Sequence, residues 1–213
     1  MTEKELRHAI VRWARSLFER GFTVGSSGNI SVRLEDGGFL MTPTNSCMGF
    51  LDPDRLSRLD AGGAHVDGDP PTKERPLHFA FYEARPSARA VVHLHSTHAT
   101  ALSCLADVDP EDAVPPITPY VVMRVGRVPV LPYARPGSSA LAPMIRERAA
   151  RHPAVLLANH GPVVAGPSLE AAVFAIEELE ETARLLIMTR NLEVRRLTPE
   201  EVADLDASFS LKG

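Results

Sequence analysis

The sequence predicts an α/β protein organised around a mixed β-sheet, and three features carry that expectation. Segments with helical spacing alternate with segments of strand spacing along the chain. Glycine turns at Asp36-Gly37-Gly38 and within residues 56–69 join strand-like runs directly, as hairpins do. Other strand-like runs are separated by helices, and one of them, Ala88 to His95, is nearly continuously apolar through Ala90-Val91-Val92. Such a run suits a strand covered on both faces.

Residues 2–20 read as a helix. Thr2 and Glu5 form a capping box, Leu6, Ile10, Trp13, Leu17 and Phe18 share one stripe, and Gly21 ends it. In residues 25–45, Ile30, Val32 and Leu34 alternate, and Phe39-Leu40-Met41 resumes extended after the turn. Residues 56–69 give a second short strand pair, and Thr72 to Arg85 is helical up to Pro86. Beyond the apolar strand, Thr97 to Leu105 returns to helical spacing. The proline-rich stretch Asp107 to Pro119 reads as a loop long enough to carry a function. Val128–Leu131 is a strand, Ala140–Ala150 a helix and Ala154–Ala158 a strand, with Val163-Val164-Ala165 extended after it. Ser168 caps the longest helix, which runs to residue 190. Thr198-Pro199 opens a last short helix, with proline at its first position.

A chain of 213 residues fits one domain, 1–213, and 44% hydrophobic residues supply its core. A net charge of −4, with no Lys/Arg-rich run, excludes a nucleic-acid binder that works through a basic face. The N-terminus lacks a charged-then-apolar leader layout, and no eighteen-residue apolar stretch exists. The expectation is therefore a cytoplasmic protein with no membrane partner. Cys47 and Cys104 are too few for a disulfide framework and read as reduced thiols filling core space.

His93-Leu94-His95 closes the apolar strand. Residues i and i+2 of a strand share a face, so the two imidazoles converge. Burying each without a partner costs on the order of 1–3 kcal/mol, so the pair is either hydrogen-bonded structure or a ligand set for zinc or a similar divalent ion. His160 follows a second apolar strand and precedes Gly161-Pro162; by itself it reads as a loop histidine satisfied by backbone. Together, the two strand ends favour a three-histidine face with open positions, the layout of a catalytic metal site.

His98 extends the segment to HLHSTH and admits a metallo-hydrolase reading, but the place of the second-metal aspartate is held by Thr97. His98 is read as supporting the ligands. His8, His65, His78 and His152 follow no pattern and read as surface or packing residues. Glu74 alone is an ordinary solvated charge at a helix start. Ser27-Gly28-Asn29 is either a bare hairpin entry or a place where backbone N–H groups approach a phosphate.

Three ordered blocks, GSSGNISVR, VVHLHSTH and LLANHGPVVAG, with Thr72-Lys73-Glu74 between the first two, resemble the class II aldolase/adducin family over about residues 3–190. Within that family the chain looks most similar to the 3-oxo-tetronate 4-phosphate decarboxylases, through GSSGNISVRL, LMTPTN, Thr72-Lys73-Glu74 and VVHLHSTH. The resemblance implies a three-layer α/β/α fold with a central mixed, largely antiparallel sheet. It also implies a homotetramer with active sites between subunits, and a divalent metal, for which three imidazoles suit zinc. Its metal ligands match His93, His95 and His160, and its acid/base glutamate, which also ligates the metal when substrate is absent, matches Glu74. Its phosphate pocket matches Gly28, Asn29, Thr44, Asn45, Thr72 and Lys73, and a proton-donating tyrosine of the aldolases falls near Tyr120.

The implied substrate is a phosphorylated sugar acid, a 3-oxo-tetronate 4-phosphate, decarboxylated to dihydroxyacetone phosphate through an enediolate. Asn45 and Thr72-Lys73 depart from the glycine and paired serines of fuculose-phosphate aldolases. Lysine keeps the pocket suited to an anion while separating the chain from the aldolase substrate. Aldol cleavage, another sugar-phosphate epimerase or dehydratase, and a non-catalytic adducin-like module are the alternatives.

Overall fold

The computed structural model describes residues 1–209, so residues 210–213 of the expected domain lie outside the described residues. Helix α1 (Glu3–Glu19) starts at the expected capping box: Glu5 N donates to Thr2 Oγ1 at 3.3 Å and Thr2 N donates to Glu5 Oε2 at 2.7 Å. Eight strands form one sheet: β1 (Asn29–Arg33), β2 (Phe39–Met41), β3 (Ser57–Leu59), β4 (His65–Asp67), β5 (Ala90–His93), β6 (Val130–Leu131), β7 (Ala154–Leu157) and β8 (Gly161–Gly166). Their spatial order is β4-β3-β2-β1-β5-β8-β7-β6, and every neighbouring pair is antiparallel except β6 with β7. The expected mixed, largely antiparallel sheet is present.

Strand alternation sorts the side chains into two clusters. Ile30, Val32, Leu40, Val92, Leu156 and Val164 pack with α1, α3 (Thr97–Ser103), α4 (Pro119–Arg124) and α6 (Leu169–Thr189). Phe39, Met41, Val91, Val155, Leu157 and Val163 pack with α2 (Arg75–Ala84) and α5 (Leu141–Ala149). Helices thus cover both faces of one sheet, which makes three layers. β5 lies between β1 and β8 and is buried at every position, which is why its sequence does not alternate. The last helix, α7 (Pro199–Phe209), packs on α4.

Several sequence expectations are corrected. The helix expected from Thr72 begins at Arg75, because Thr72-Lys73-Glu74 makes the turn leading into it. The expected loop gives way at its end to a short helix that carries Tyr120: Thr118 Oγ1 caps α4, and Pro119 takes the first position, where its missing N–H costs nothing. The strand expected from Val128 is confined to Val130–Leu131. Neither cysteine is core filling, since Cys104 is exposed at the end of α3 and Cys47 is half-buried. His8 and His65 are exposed, whereas His78 is fully buried and hydrogen-bonded at both ring nitrogens. Among the described residues, no helix is long and apolar enough to cross a membrane.

Candidate metal centre

His93 ends β5, paired with Asn29 of β1 on one side and Val163 of β8 on the other. His95 lies two residues on, in the link to α3, and His160 stands in the turn between β7 and β8. That turn needs Asn159 at φ 56°, a left-handed conformation that asparagine tolerates. It also needs Gly161, where a Cβ would come 2.4 Å from the Leu94 carbonyl oxygen. Glu74 arrives from the side. Thr72 N donates to Thr42 O at 3.3 Å and Thr44 N to Pro70 O at 2.9 Å, which seats the start of α2 beside the sheet.

The three Nε2 atoms form a triangle of 3.2 Å (His93–His95), 3.3 Å (His93–His160) and 3.0 Å (His95–His160). Glu74 Oε2 is 3.4 Å from His93 Nε2, and its Oε1 is 3.5 Å from His160 Nε2. Three nitrogens held tetrahedrally at about 2.0–2.1 Å from one zinc ion would be about 3.3–3.4 Å apart, close to this spacing. His93 Nδ1 lies 2.9 Å from the Pro162 carbonyl, which can only accept, so Nδ1 carries the proton and Nε2 offers a lone pair. Glu74 Oε1 is buried without a hydrogen-bond partner, a state that a cation among the imidazoles would relieve. The donor set fits a divalent ion.

The protonation states agree. Burial first, and then the neighbouring imidazoles, push His95 and His160 down to about 4, so both are neutral at pH 7 as ligands must be. Burial by itself would push Glu74 up, but His93, the Asn29 amide and His160 outweigh it and keep the carboxyl below its ordinary value.

Helix α3 holds two of the histidines in relation to one another. It begins two residues after His95, while its Thr100 Oγ1 donates to His160 O at 3.2 Å and its Ser103 Oγ accepts from His160 N at 3.2 Å. Its N-cap residue, Ser96, makes no capping bond. The carboxylate of Glu180 on α6 does so instead, accepting from His98 N at 2.9 Å, Ala99 N at 2.8 Å and His98 Nδ1 at 2.8 Å. His98 therefore turns its Nδ1 to Glu180 and supports the ligands through α3. Among the described residues, Glu74, His93, His95 and His160 are the one group that could hold a metal, so a dinuclear hydrolase finds no second site there.

A family model for the class II aldolase and adducin N-terminal domain matches residues 8–187. The chain belongs to the class II aldolase and adducin family. It is 51% identical over 203 residues to a 3-oxo-tetronate 4-phosphate decarboxylase of Escherichia coli (strain K12), covering 95% of this chain and 96% of that one. It superposes on the crystal structure of YgbL from Klebsiella pneumoniae with a TM-score of 0.94 at 51% identity, covering 96% and 99% of the two chains. An L-fuculose phosphate aldolase of Escherichia coli (strain K12) is 32% identical over 217 residues, covering 100% of this chain and 98% of that one.

The residues matched to the family's phosphate pocket are distributed around the Glu74 side of the centre. Gly28 has φ 82°, and a Cβ there would lie 3.1 Å from His93 O, Met48 Sδ and Thr23 Oγ1. Asn29 is buried and its side chain is occupied at both ends, by Glu74 and by His78. Thr72 Oγ1 accepts from Glu74 N at 3.2 Å. Thr44 is half-buried on the adjoining segment, and Asn45 (φ 55°) and Lys73 are exposed. Tyr120 stands apart from this group: it is 54% exposed and shares a surface depression with Phe22, Arg124 and Phe174. Sequence reading missed Glu180, Ser31 and Tyr82, and assigned His78 no role. The available signal was the short spacing from Glu74, just before α2, to His78 in its first turn.

Proposed function

We propose that this chain is a divalent-metal-dependent 3-oxo-tetronate 4-phosphate decarboxylase. The observation that carries the reading is the Glu74 carboxylate, half-buried, with one buried and unpartnered oxygen beside three converging imidazoles. Relatives carrying that name at 49% and 51% identity over nearly the whole chain support the choice of reaction. His93, His95 and His160 hold the ion, Glu74 completes the set until substrate arrives, and nitrogen donors favour zinc over magnesium. Bound there, the ion supplies Lewis acidity at the 3-oxo group, worth on the order of several kcal/mol.

The C1–C2 bond of the substrate breaks, its electron pair passes into C2–C3 and onto the C3 oxygen, and CO2 leaves. Glu74 takes the 2-hydroxyl proton and delivers it to C2; the oxygen is reprotonated from water, which gives dihydroxyacetone phosphate. Thr44, Asn45, Thr72, Lys73 and the backbone at Gly28-Asn29 anchor the phosphate and with it the geometry of the reacting end. Residues 1–213 act as one domain in a homotetramer, where Tyr120, exposed on α4, faces a neighbouring copy's site and passes on the proton from water that restores the 2-hydroxyl. Light scattering of the eluted protein should give four chains.

Zinc-loaded protein given 3-oxo-erythronate 4-phosphate should release CO2 and dihydroxyacetone phosphate. Release of neither overturns the reading, and aldehyde release from a ketose phosphate instead would select aldol chemistry. Glu74→Gln should still fill with metal at saturating zinc, with weaker affinity, and lose about 10²–10⁴ in kcat; near-parental turnover would remove Glu74 from the role given to it.

A further inference from the structure

His78 lies in the first turn of α2, four residues after Glu74 in the turn that leads into the helix, and is fully buried. A run of hydrogen bonds passes through it, and the direction of each link follows from the one before. Glu74 Oε2 can only accept, so the Asn29 group 2.8 Å away is its Nδ2 amide. The other end of that amide, Oδ1, faces His78 Nε2 at 2.5 Å and, as an acceptor, requires the proton on Nε2. His78 Nδ1 is then the bare nitrogen, met by the Ser31 hydroxyl at 2.7 Å. Ser31, having donated, accepts from the Tyr82 hydroxyl at 2.9 Å. Every donor from Tyr82 to Asn29 points toward Glu74.

We propose that His78 is a positioning residue for Glu74: it holds the Asn29 amide the one way round that presents a donor to the carboxylate. The reversed amide would set its carbonyl against Glu74 and, while Ser31 donates to Nδ1 and so keeps the proton on Nε2, its NH₂ against the His78 N–H, two repulsive contacts in a buried site. With Oε2 engaged by Asn29, Oε1 is the oxygen left without a hydrogen bond, 3.5 Å from His160 Nε2. The ring is neutral, because burial pushes His78 down to about 3. Burial likewise pushes the Tyr82 phenol up, so it keeps the proton it donates. The run does not conduct protons: a carboxamide neither gains nor loses one at neutral pH, so Asn29 interrupts any relay. The role is geometric.

This inference rests on the role given to Glu74 above, and a double-mutant cycle separates the two. His78→Phe, His78→Gln, Glu74→Gln and the double variant H78F/E74Q are compared by kcat, KM and zinc affinity against a chromogenic chelator. The zinc measurement needs no substrate, so it reads even if the substrate class is wrong. H78F should lower kcat and zinc affinity by about 10–100-fold with little change in KM, as loss of a group behind a metal ligand does. H78Q, whose amide reaches the Asn29 oxygen, should recover most of both, and H78F should cost nothing further in the E74Q background. Parental turnover in E74Q alone removes the role of Glu74. A crippled E74Q with a parental H78F, or an H78F penalty undiminished in E74Q, overturns the role of His78. Should H78F fail to fold, Ser31→Ala leaves the ring in place but strips Nδ1 of its donor. It should lose about 3–10-fold in both readouts, and parental values in both would overturn the proposal.

Discussion

Glu180→Ala tests whether α3 holds the metal site together. The carboxylate is 8% exposed and accepts three hydrogen bonds at the N-terminus of α3, where helix N–H groups have no partners of their own. Hydrogen bonds to a charged group contribute about 1.5–3 kcal/mol each, and the helix dipole adds about 0.3–1 kcal/mol. His98 is partly exposed and regains water, so the sum is not additive, and a loss of about 3–5 kcal/mol is expected. For a chain of this size that lowers Tm by about 10 °C.

The same helix carries Thr100 and Ser103, which hold the His160 backbone, so the Nε2 triangle should loosen as well. Zinc affinity should fall about 10–100-fold. Glu180→Gln keeps one acceptor oxygen but sets an NH₂ against a donor, and should fall between parent and Ala. Calorimetry of zinc-free protein and zinc titration check both effects, with exposed Glu181→Ala as the neighbouring control. A Tm within about 2 °C of the parent, with unchanged zinc affinity, would refute this account of α3.

Gly161→Ala drives a Cβ to 2.4 Å from the Leu94 carbonyl at φ 152°; overpacking and backbone strain should cost about 2–4 kcal/mol in urea unfolding, and a parental midpoint would contradict the packing described. His78 gives the zinc-free protein an acid sensitivity with a definite sign. Its folded value of about 3 lies below the ordinary 6.5, so the unfolded chain takes the proton first. The stability is full above about pH 6.5 and declines toward pH 3, by at most about 1.4 kcal/mol per pH unit. H78Q should flatten that decline between pH 7 and 5, and an unchanged slope would show that His78 is not its source.

Features that depend on near neighbours along the chain are legible from residue order alone. The capping box at Thr2 and Glu5 set the start of α1, and the apolar run before His93 marked a strand buried on both faces. The period of two put His93 and His95 on one side, because alternation is a property of any strand. The four prolines from Asp107 to Pro119 read as loop, yet Thr118-Pro119 is also a helix start, and only packing of α4 against α6 and α7 decides between them.

Which strands are neighbours was left to the tertiary structure. β5 pairs with β1 and β8 rather than with the strand next in sequence, and that pairing brings His160 to within 3.3 Å of His93. The apposed segments at Thr42–Thr44 and Pro70–Thr72 seat Glu74 against the imidazoles. His78 shows the limit most plainly. A polar residue on a helix reads as surface until its partners are known, and Asn29 and Ser31 come from strand β1. A lone polar residue does not say whether it is solvated or satisfied, because that depends on contacts some fifty positions away.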